Sequence, residues 1–233
     1  SWGVPGRRMA GNSHTQVVDA LGSAIVRGEH AEGVALPRDE ELEARFGVSR
    51  TVLREAVKTL TAKGLLVARA RVGTKVRPRA HWTMFDADVL RWHMEGGAGR
   101  AFLVDLSEMR LGVEPFAARL AAERASPEAV ESLHAIVGRM AAAPDRHAFA
   151  AADIDLHRAV IRASGNAFMH SVGALIEAAL LASFRISSPA DDPAVQARVA
   201  RDHGLIVAAV ARRDGPGAEA AMARVIVVGR DRI

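Results

Sequence analysis

The 233-residue sequence predicts a mainly α-helical protein in two unequal parts: a small N-terminal unit carrying a short β-hairpin, then an antiparallel all-α bundle of six or seven helices. Three observations carry this reading. Apolar residues recur at helical spacing along most of the chain. Hydrophobic residues make up 49% of it, enough for a core, yet only 10 are aromatic and none is Tyr, a mix that disfavours extensive sheet. The positive charge also lies in the first third: residues 1–80 hold 14 Lys+Arg against 8 Asp+Glu, or +6, while residues 81–233 hold 17 against 19, or −2. A basic module joined to a neutral one suits a polyanion partner, although basic surfaces also serve solubility alone.

Residues 1–13 are expected to be a flexible N-terminus. The first helix spans His14 to Arg27, with Val17, Val18, Leu21, Ala24 and Ile25 on one face and a stop at Gly28. Pro37 leads into a short helix, Arg38 to Phe46, ended by Gly47. A second helix follows almost at once, capped by Ser49, with Val52, Leu53, Ala56, Val57 and Leu60 as its buried stripe and Gly64 as its terminator. Two short helices joined through Gly-Val-Ser read as a helix-turn-helix. Leu65 to Arg69 and Thr74 to Arg77 then read as a small hairpin, a wing. This first domain is expected over residues 14–78, a linker over 79–85, and an all-helical domain over 86–233. Breaks at Gly96/Gly97, Ser126-Pro127, Pro144, Gly165-Asn166, Pro189/Pro193 and Gly215 to Gly217 divide the latter into its helices.

Several classes of chemistry are excluded or disfavoured. With no cysteine there is no disulfide, thiolate metal site or Cys nucleophile. No apolar run approaches the roughly 18 residues that would span a bilayer, and Ser1 to Asn12 has no secretion-signal stretch, so a cytoplasmic protein without a membrane partner is expected.

On the second short helix, Arg50, Thr51, Arg54 and Lys58 occupy the exposed face, the first three in its N-terminal turns. A recognition helix pushes those turns into the major groove, where Arg can bond guanine bidentately and Thr can meet a thymine methyl or a phosphate. One such helix alone reads equally well as a solvated cationic face. The preceding helix, the Gly-Val-Ser turn and the basic hairpin with Arg69, Arg71 and Lys75 together favour DNA binding.

Leu36-Pro37, Leu42, Phe46-Gly47-Val48-Ser49-Arg50-Thr51, Leu53-Arg54-Glu55-Ala56, Leu60 and Gly64-Leu65-Leu66 resemble the signature of the GntR-type winged-helix regulators over residues 14–77. The resemblance implies that Arg50 and Arg54 are the principal DNA contacts, with Thr51 an accessory one and Gly73 the wing tip; Ser49, Lys58 and Arg71 are further candidate contacts by their place on the helix and hairpin. A homodimer that sets two such units on the half-sites of palindromic double-stranded operator DNA is the expected assembly. Glu40 stands where many relatives carry an Arg, which removes one expected contact.

In the second domain, Phe149, Ala152, Leu156 and Val160 form an inward helical stripe, with Asp153 and His157 within or beside it; His203 lies on the stripe of Val195, Val199, Ile206 and Val210. A buried carboxylate needs a partner. Asp153 and His157, four apart, project from one face as metal ligands must, but spacing alone fits a structural Asp–His hydrogen bond and an unrelated core histidine at least as well. Arg110 is also inward, among Leu103, Leu106, Val113, Ala117 and Leu120. It either pairs with Glu114 one turn later or clamps an incoming carboxylate.

Asp153-x-x-x-His157, Ala163-Ser164-Gly165-Asn166 and Asp202-His203 resemble the FCD type of ligand-binding domain of the FadR subfamily. That resemblance implies a divalent metal ion, zinc or a related one, on Asp153, His157 and His203; Val225 stands at the fourth ligand position and cannot ligate. It also implies a small organic acid as effector, bound by Arg110 and, as a weaker candidate, Arg185. The stretch Trp82 to Trp92, with Glu114-Pro115 and Ala121 to Ala125, is similar to galactonate-type sugar-acid repressors. His134 and His170 are expected at the surface or in packing. A metal-dependent hydrolase built on the same Asp/His/His set is the alternative, but no general base stands out beside it, so a regulator rather than an enzyme is expected.

Overall fold

A computed structural model describes residues 13–97 and 99–232. The expected flexible N-terminus therefore lies outside the described residues except for Ser13. The chain divides into two compact units that meet between Gly97 and Ala98.

The first unit contains α1 (Ser13–Val26), α2 (Asp39–Phe46), α3 (Arg50–Ala62), β1 (Leu66–Arg69), β2 (Gly73–Val76), a 3-10 turn (Arg79–His81) and α4 (Ala87–Glu95). Asp39, Glu40 and Glu41 place negative charge on the first turn of α2, where free backbone N–H groups favour it. Gly47 ends that helix in the left-handed conformation (φ 62°). The Ser49 side chain accepts from the Val52 amide at 3.3 Å and so starts α3. Val17, Leu21, Ile25, Leu42, Leu53, Ala56, Leu60, Leu65, Leu66 and Val76 make one core. Full burial of a Leu such as Leu53 contributes roughly 1.5–3 kcal/mol.

β1 and β2 pair antiparallel with Leu66 opposite Val76 and Arg69 opposite Gly73. The segment before α2 adds to the hairpin edge: the Leu36 amide donates to Thr74 O at 2.8 Å and the Val76 amide to Val34 O at 3.1 Å.

The linker expected over 79–85 is instead part of this unit. Trp82 is buried, and its indole N–H donates to Arg77 O at 2.9 Å. The Thr83 amide donates to Lys63 O at 2.9 Å. The following helix, α4, packs on α1 through Val89 and Trp92. Gly22 permits that approach, because a Cβ there would lie 2.4 Å from the Trp92 ring. Arg91 donates to Asp19 at 2.6 Å, and Lys63 pairs with Asp86 at 2.8 Å and Asp88 at 2.9 Å. Apolar residues read as the entry to the bundle thus complete the core of the first unit, and the boundary moves from residue 86 to Gly97.

The second unit contains α5 (Arg100–Arg124), α6 (Pro127–Ala141), α7 (Arg146–Ala163), α8 (Gly173–Ile186), α9 (Pro193–Ala211) and α10 (Gly215–Arg230), with 3-10 turns at Met169–Val172 and Pro189–Asp191. Ser126, Asp145, Asp192 and Asp214 each cap the helix that follows by accepting from a backbone amide. α5 is central, packing on α7, α8, α9 and α10, while α6 packs on α7 and α9. The core runs through Ala117, Ala121, Leu133, Phe149, Leu156, Val160, Ile206, Val210 and Met222.

One stretch, Met169–Asp191, is long and apolar enough by composition to cross a membrane, contrary to the sequence expectation. Its regular helix, α8, has only 14 residues, short of the roughly 20 that span a bilayer, and it places Ile176, Leu180 and Phe184 in the bundle core.

Candidate DNA interface and effector cavity

α3 buries Leu53, Ala56 and Leu60 against the first-unit core, so the opposite face is presented outward. Arg50, Thr51, Arg54 and Lys58 are all exposed there, as is Ser49 at the cap. Among the described residues no carboxylate lies within ion-pair distance of Arg50 or Arg54, whereas Lys58 pairs with Glu55 at 3.0 Å. The hairpin adds exposed Arg69 and Arg71.

The tip of the hairpin is Ala70 to Val72, closed by the Val72 amide donating to Arg69 O at 3.2 Å. Arg71 holds a positive φ of 64°, a costly conformation for a residue with a Cβ. Gly73, expected at the tip, opens β2 instead. There its φ of 95° requires glycine, while the space beside it is open. Glu40, on α2, is exposed.

In the second unit, α5, α7 and α9 bring five buried polar side chains together. Asp153 Oδ1 lies 3.1 Å from Nε2 of both His157 and His203. On its far side the His203 Nδ1–H donates to Val199 O at 2.7 Å. His157 Nδ1 meets Glu114 Oε1, and the other oxygen of Glu114 accepts from Arg110 Nε at 2.5 Å. Arg110 Nη2 also lies 3.4 Å from His157 Nδ1.

Charge follows from this packing. Burial raises the Glu114 carboxyl, but the charges of Arg110 and His157 outweigh it and hold Glu114 at about 2. Burial likewise works against ionised Asp153, yet His203 and His157 keep it far below the usual carboxylate range. For His157 burial favours the neutral ring, and Glu114 with Asp153 overcomes it, raising the imidazole to about 9.

The arrangement fits a divalent cation. With the Nδ1 protons directed at Val199 O and Glu114, a ring without a second proton would turn its Nε2 lone pair toward the Asp153 carboxylate. Lone pair facing lone pair needs either a proton or a metal ion between them. The ligand atoms of Asp153, His157 and His203 all lie within 4.8 Å of one another, and a carboxylate with two imidazoles is a donor set for zinc and its neighbours. Glu114 orients His157 as a buried carboxylate behind a metal-binding histidine does. Helical spacing in the sequence offers Glu114 only as a partner for Arg110. The ion-pair geometry is present, and Glu114 serves His157 as well.

Arg110, Asp153, His157 and His203 line a cavity of about 30 Å³ together with Ser107, Ser183, Asp202 and Arg232, with Glu114 behind the lining. That is room for roughly two waters, or an ion and its water, and far below the roughly 300–1,000 Å³ of a typical organic-ligand pocket. Arg110 is on the lining; Arg185 is not. Ser183 and Phe184 on α8 face the cavity, and the helical turn carries Arg185 to the exposed side, which removes it from the site. Val225 lines the cavity without a ligating atom. His134 and His170 are exposed. Ser164, Gly165 and Asn166 form the turn after α7: Ser164 O accepts from Arg124 at 2.9 Å, and Asn166 Oδ1 accepts from the Phe168 amide at 3.0 Å. Arg232 had no sequence signal, because it belongs to no periodic helix.

A winged helix-turn-helix with an unpaired arginine face, followed by a six-helix bundle around a buried Asp/His/His cluster, defines the class: a DNA-binding regulator with a helical ligand-binding domain. The chain belongs to the GntR family of bacterial regulatory proteins. Its model matches residues 14–76, and the FCD domain matches residues 105–227. The galactonate operon transcriptional repressor of Escherichia coli (strain K12) is 32% identical over 223 residues, covering 95% of this chain and 97% of that protein. The uncharacterized HTH-type transcriptional regulator YieP of the same organism is 33% identical, with 87% of each chain covered. Among solved structures, that of Lar, which controls expression of the Listeria monocytogenes agr system, matches with a TM-score of 0.62 at 18% identity, covering 97% of both chains and bearing on the fold alone. The matched domains and relatives are those of transcription regulators, not enzymes, so the hydrolase alternative has no support.

Proposed function

We propose that the protein is a repressor of sugar-acid catabolism genes that leaves its operator when a small carboxylic acid, galactonate or a close relative, enters the FCD cavity. The observation that carries this reading is the full-length similarity to a galactonate operon repressor, joined to a buried cavity lined by arginine and by the Asp/His/His cluster. Arg50 and Arg54 bond base edges or phosphates, Ser49, Thr51 and Lys58 contact the adjoining backbone, and Arg71, beside Gly73, reaches the minor groove from the wing. A homodimer, working in the cytoplasm, places two such units on the half-sites of a palindrome.

A divalent ion, zinc or a related one, held by Asp153, His157 and His203 would offer open positions to the acid's oxygens. Arg110, oriented by Glu114, stands beside those positions. Because the cavity is too small for a six-carbon acid, binding has to displace lining segments. That displacement supplies the difference between DNA-competent and released states, a coupling of typically 1–3 kcal/mol.

The test is fluorescence anisotropy of the protein on a labelled duplex from upstream of its own gene, against scrambled DNA, with a panel of sugar acids. Sequence-dependent binding relieved by one of them supports the reading. Specific binding that no acid relieves removes the sugar-acid effector while leaving the regulator.

A further inference from the structure

We infer that Arg232, in the turn after α10, is the cation in the FCD cavity that receives the carboxylate of an incoming small acid. Its regulatory meaning rests on the effector reading above. The charged groups around the cavity are otherwise answered from within the protein. Arg110 is neutralised by Glu114 at 2.5 Å. Asp153 is shared by His157 and His203. Arg230 lies 3.5 Å from Asp231, and Asp202 lies 4.0 Å from Arg224.

Arg232 differs from all of these. It lines the same cavity, and its Nε is buried with no hydrogen-bond partner; among the described residues no carboxylate lies within ion-pair distance of it. Its backbone amide donates to Gly229 O at 3.3 Å, and its side chain folds back so that Nη2 lies 3.7 Å from where a Gly229 Cβ would stand. Burial and the nearby charge of Arg198 disfavour its cationic form, with Asp153 opposing them. A guanidinium nevertheless stays charged, so this is a partly buried cation that no carboxylate among the described residues contacts directly. Buried polar groups without partners are few in folded proteins and need a reason. A carboxylate supplies one, since it can accept from the orphaned Nε–H and a terminal N–H of the same fork. A carboxylate group also fits the present cavity, with Ser107 and Ser183 on its polar lining.

Acetate, a carboxylate with almost nothing attached, tests this on the full-length protein, with acetamide as the uncharged control. The Arg232 Nε–H NMR resonance, assigned by its loss in Arg232→Lys, should shift saturably with acetate and not with acetamide. Acetate should raise the melting temperature of the unaltered protein, less so that of Arg232→Lys, and not that of Arg232→Gln. Circular dichroism checks that both variants keep their helix content. A resonance that stays in place, or an equal rise in melting temperature for Arg232→Gln, overturns the assignment.

Operator release separates this claim from the one it rests on. If no acid releases DNA while acetate still titrates Arg232, the carboxylate seat stands and the effector reading falls. If galactonate releases Arg232→Gln from DNA as readily as the unaltered protein, the seat is wrong and the effector reading stands. At least a tenfold higher galactonate requirement in Arg232→Gln is the expected result.

Discussion

The Nε–H of Arg110 donates to Glu114 Oε2 at 2.5 Å, one turn apart on α5 and both buried. Because the second oxygen of Glu114 meets His157 Nδ1, one carboxylate fixes both an arginine and a ring that faces Asp153. Glu114→Gln keeps the shape but removes the charge, leaving Arg110 buried without its counter-ion. Breaking a buried pair in this way costs about 3–5 kcal/mol. Loss of the supporting carboxylate should also weaken zinc binding about 10–100-fold. Thermal unfolding and competition titration with a zinc chelator measure the two effects. Unchanged zinc affinity in a folded Glu114→Gln protein would show that Glu114 plays no part in orienting His157.

Arg54 stands exposed on α3 with no acidic partner among the described residues, whereas Lys58 is already paired with Glu55 at 3.0 Å. Arg54→Ala should therefore weaken specific operator binding by about 1–3 kcal/mol and relax base preference at one position. Lys58→Ala should weaken specific and scrambled DNA alike and flatten the salt dependence of binding. Anisotropy titrations at several salt concentrations distinguish the two, and equal effects of both variants on both duplexes would make Arg54 a phosphate contact only.

The contact of α1 with α4 is close enough to admit no side chain at Gly22. Gly22→Ala sets a Cβ 2.4 Å from the Trp92 ring, and the ring has no free space to yield into because it is fully buried. Overpacking of this kind costs about 1–3 kcal/mol. The loss should appear in the unfolding of the first unit, followed by tryptophan fluorescence. A variant as stable as the unaltered protein would mean that α4 is not tightly seated on α1.

His93, on α4, is buried, with Nε2 accepting from Arg79 at 2.8 Å and Nδ1–H donating to Val89 O at 2.8 Å. Burial, opposed by the Val89 bond and reinforced by the Arg79 charge, lowers its proton affinity. The unfolded chain then binds more protons than the folded one at pH below about 6.5, so stability should fall as the pH drops through that value. His93→Gln should flatten this dependence below about pH 6.5. Melting temperatures across that range check it; parallel profiles for the two proteins would assign the acid sensitivity elsewhere.

The helices, their caps and the wing were legible because each rests on local chemistry: Ser49 and Ser126 as caps, Gly47 in a left-handed turn, and Leu53, Ala56 and Leu60 at helical spacing. Asp153, His157 and His203 were legible for the same reason, as polar residues on apolar stripes. What was missed depends on tertiary placement. Trp82 reads as linker and Val89 and Trp92 as the start of a bundle, and only packing shows that all three close the core of the first unit. Arg185 lies on a helix and Arg232 on none, yet the turn of α8 carries Arg185 outward and the chain after α10 folds Arg232 onto the cavity lining. No periodicity announces that difference.

The most direct test of the account is the affinity of the full-length protein for its operator duplex, measured with and without saturating galactonate, alongside calorimetric binding of galactonate to the free protein. The account predicts tight, sequence-dependent DNA binding, galactonate binding in the absence of DNA, and operator affinity about 5–150-fold weaker when the acid is bound. Galactonate that binds the free protein while leaving operator affinity unchanged would contradict it, because the cavity and the winged helix would then be uncoupled.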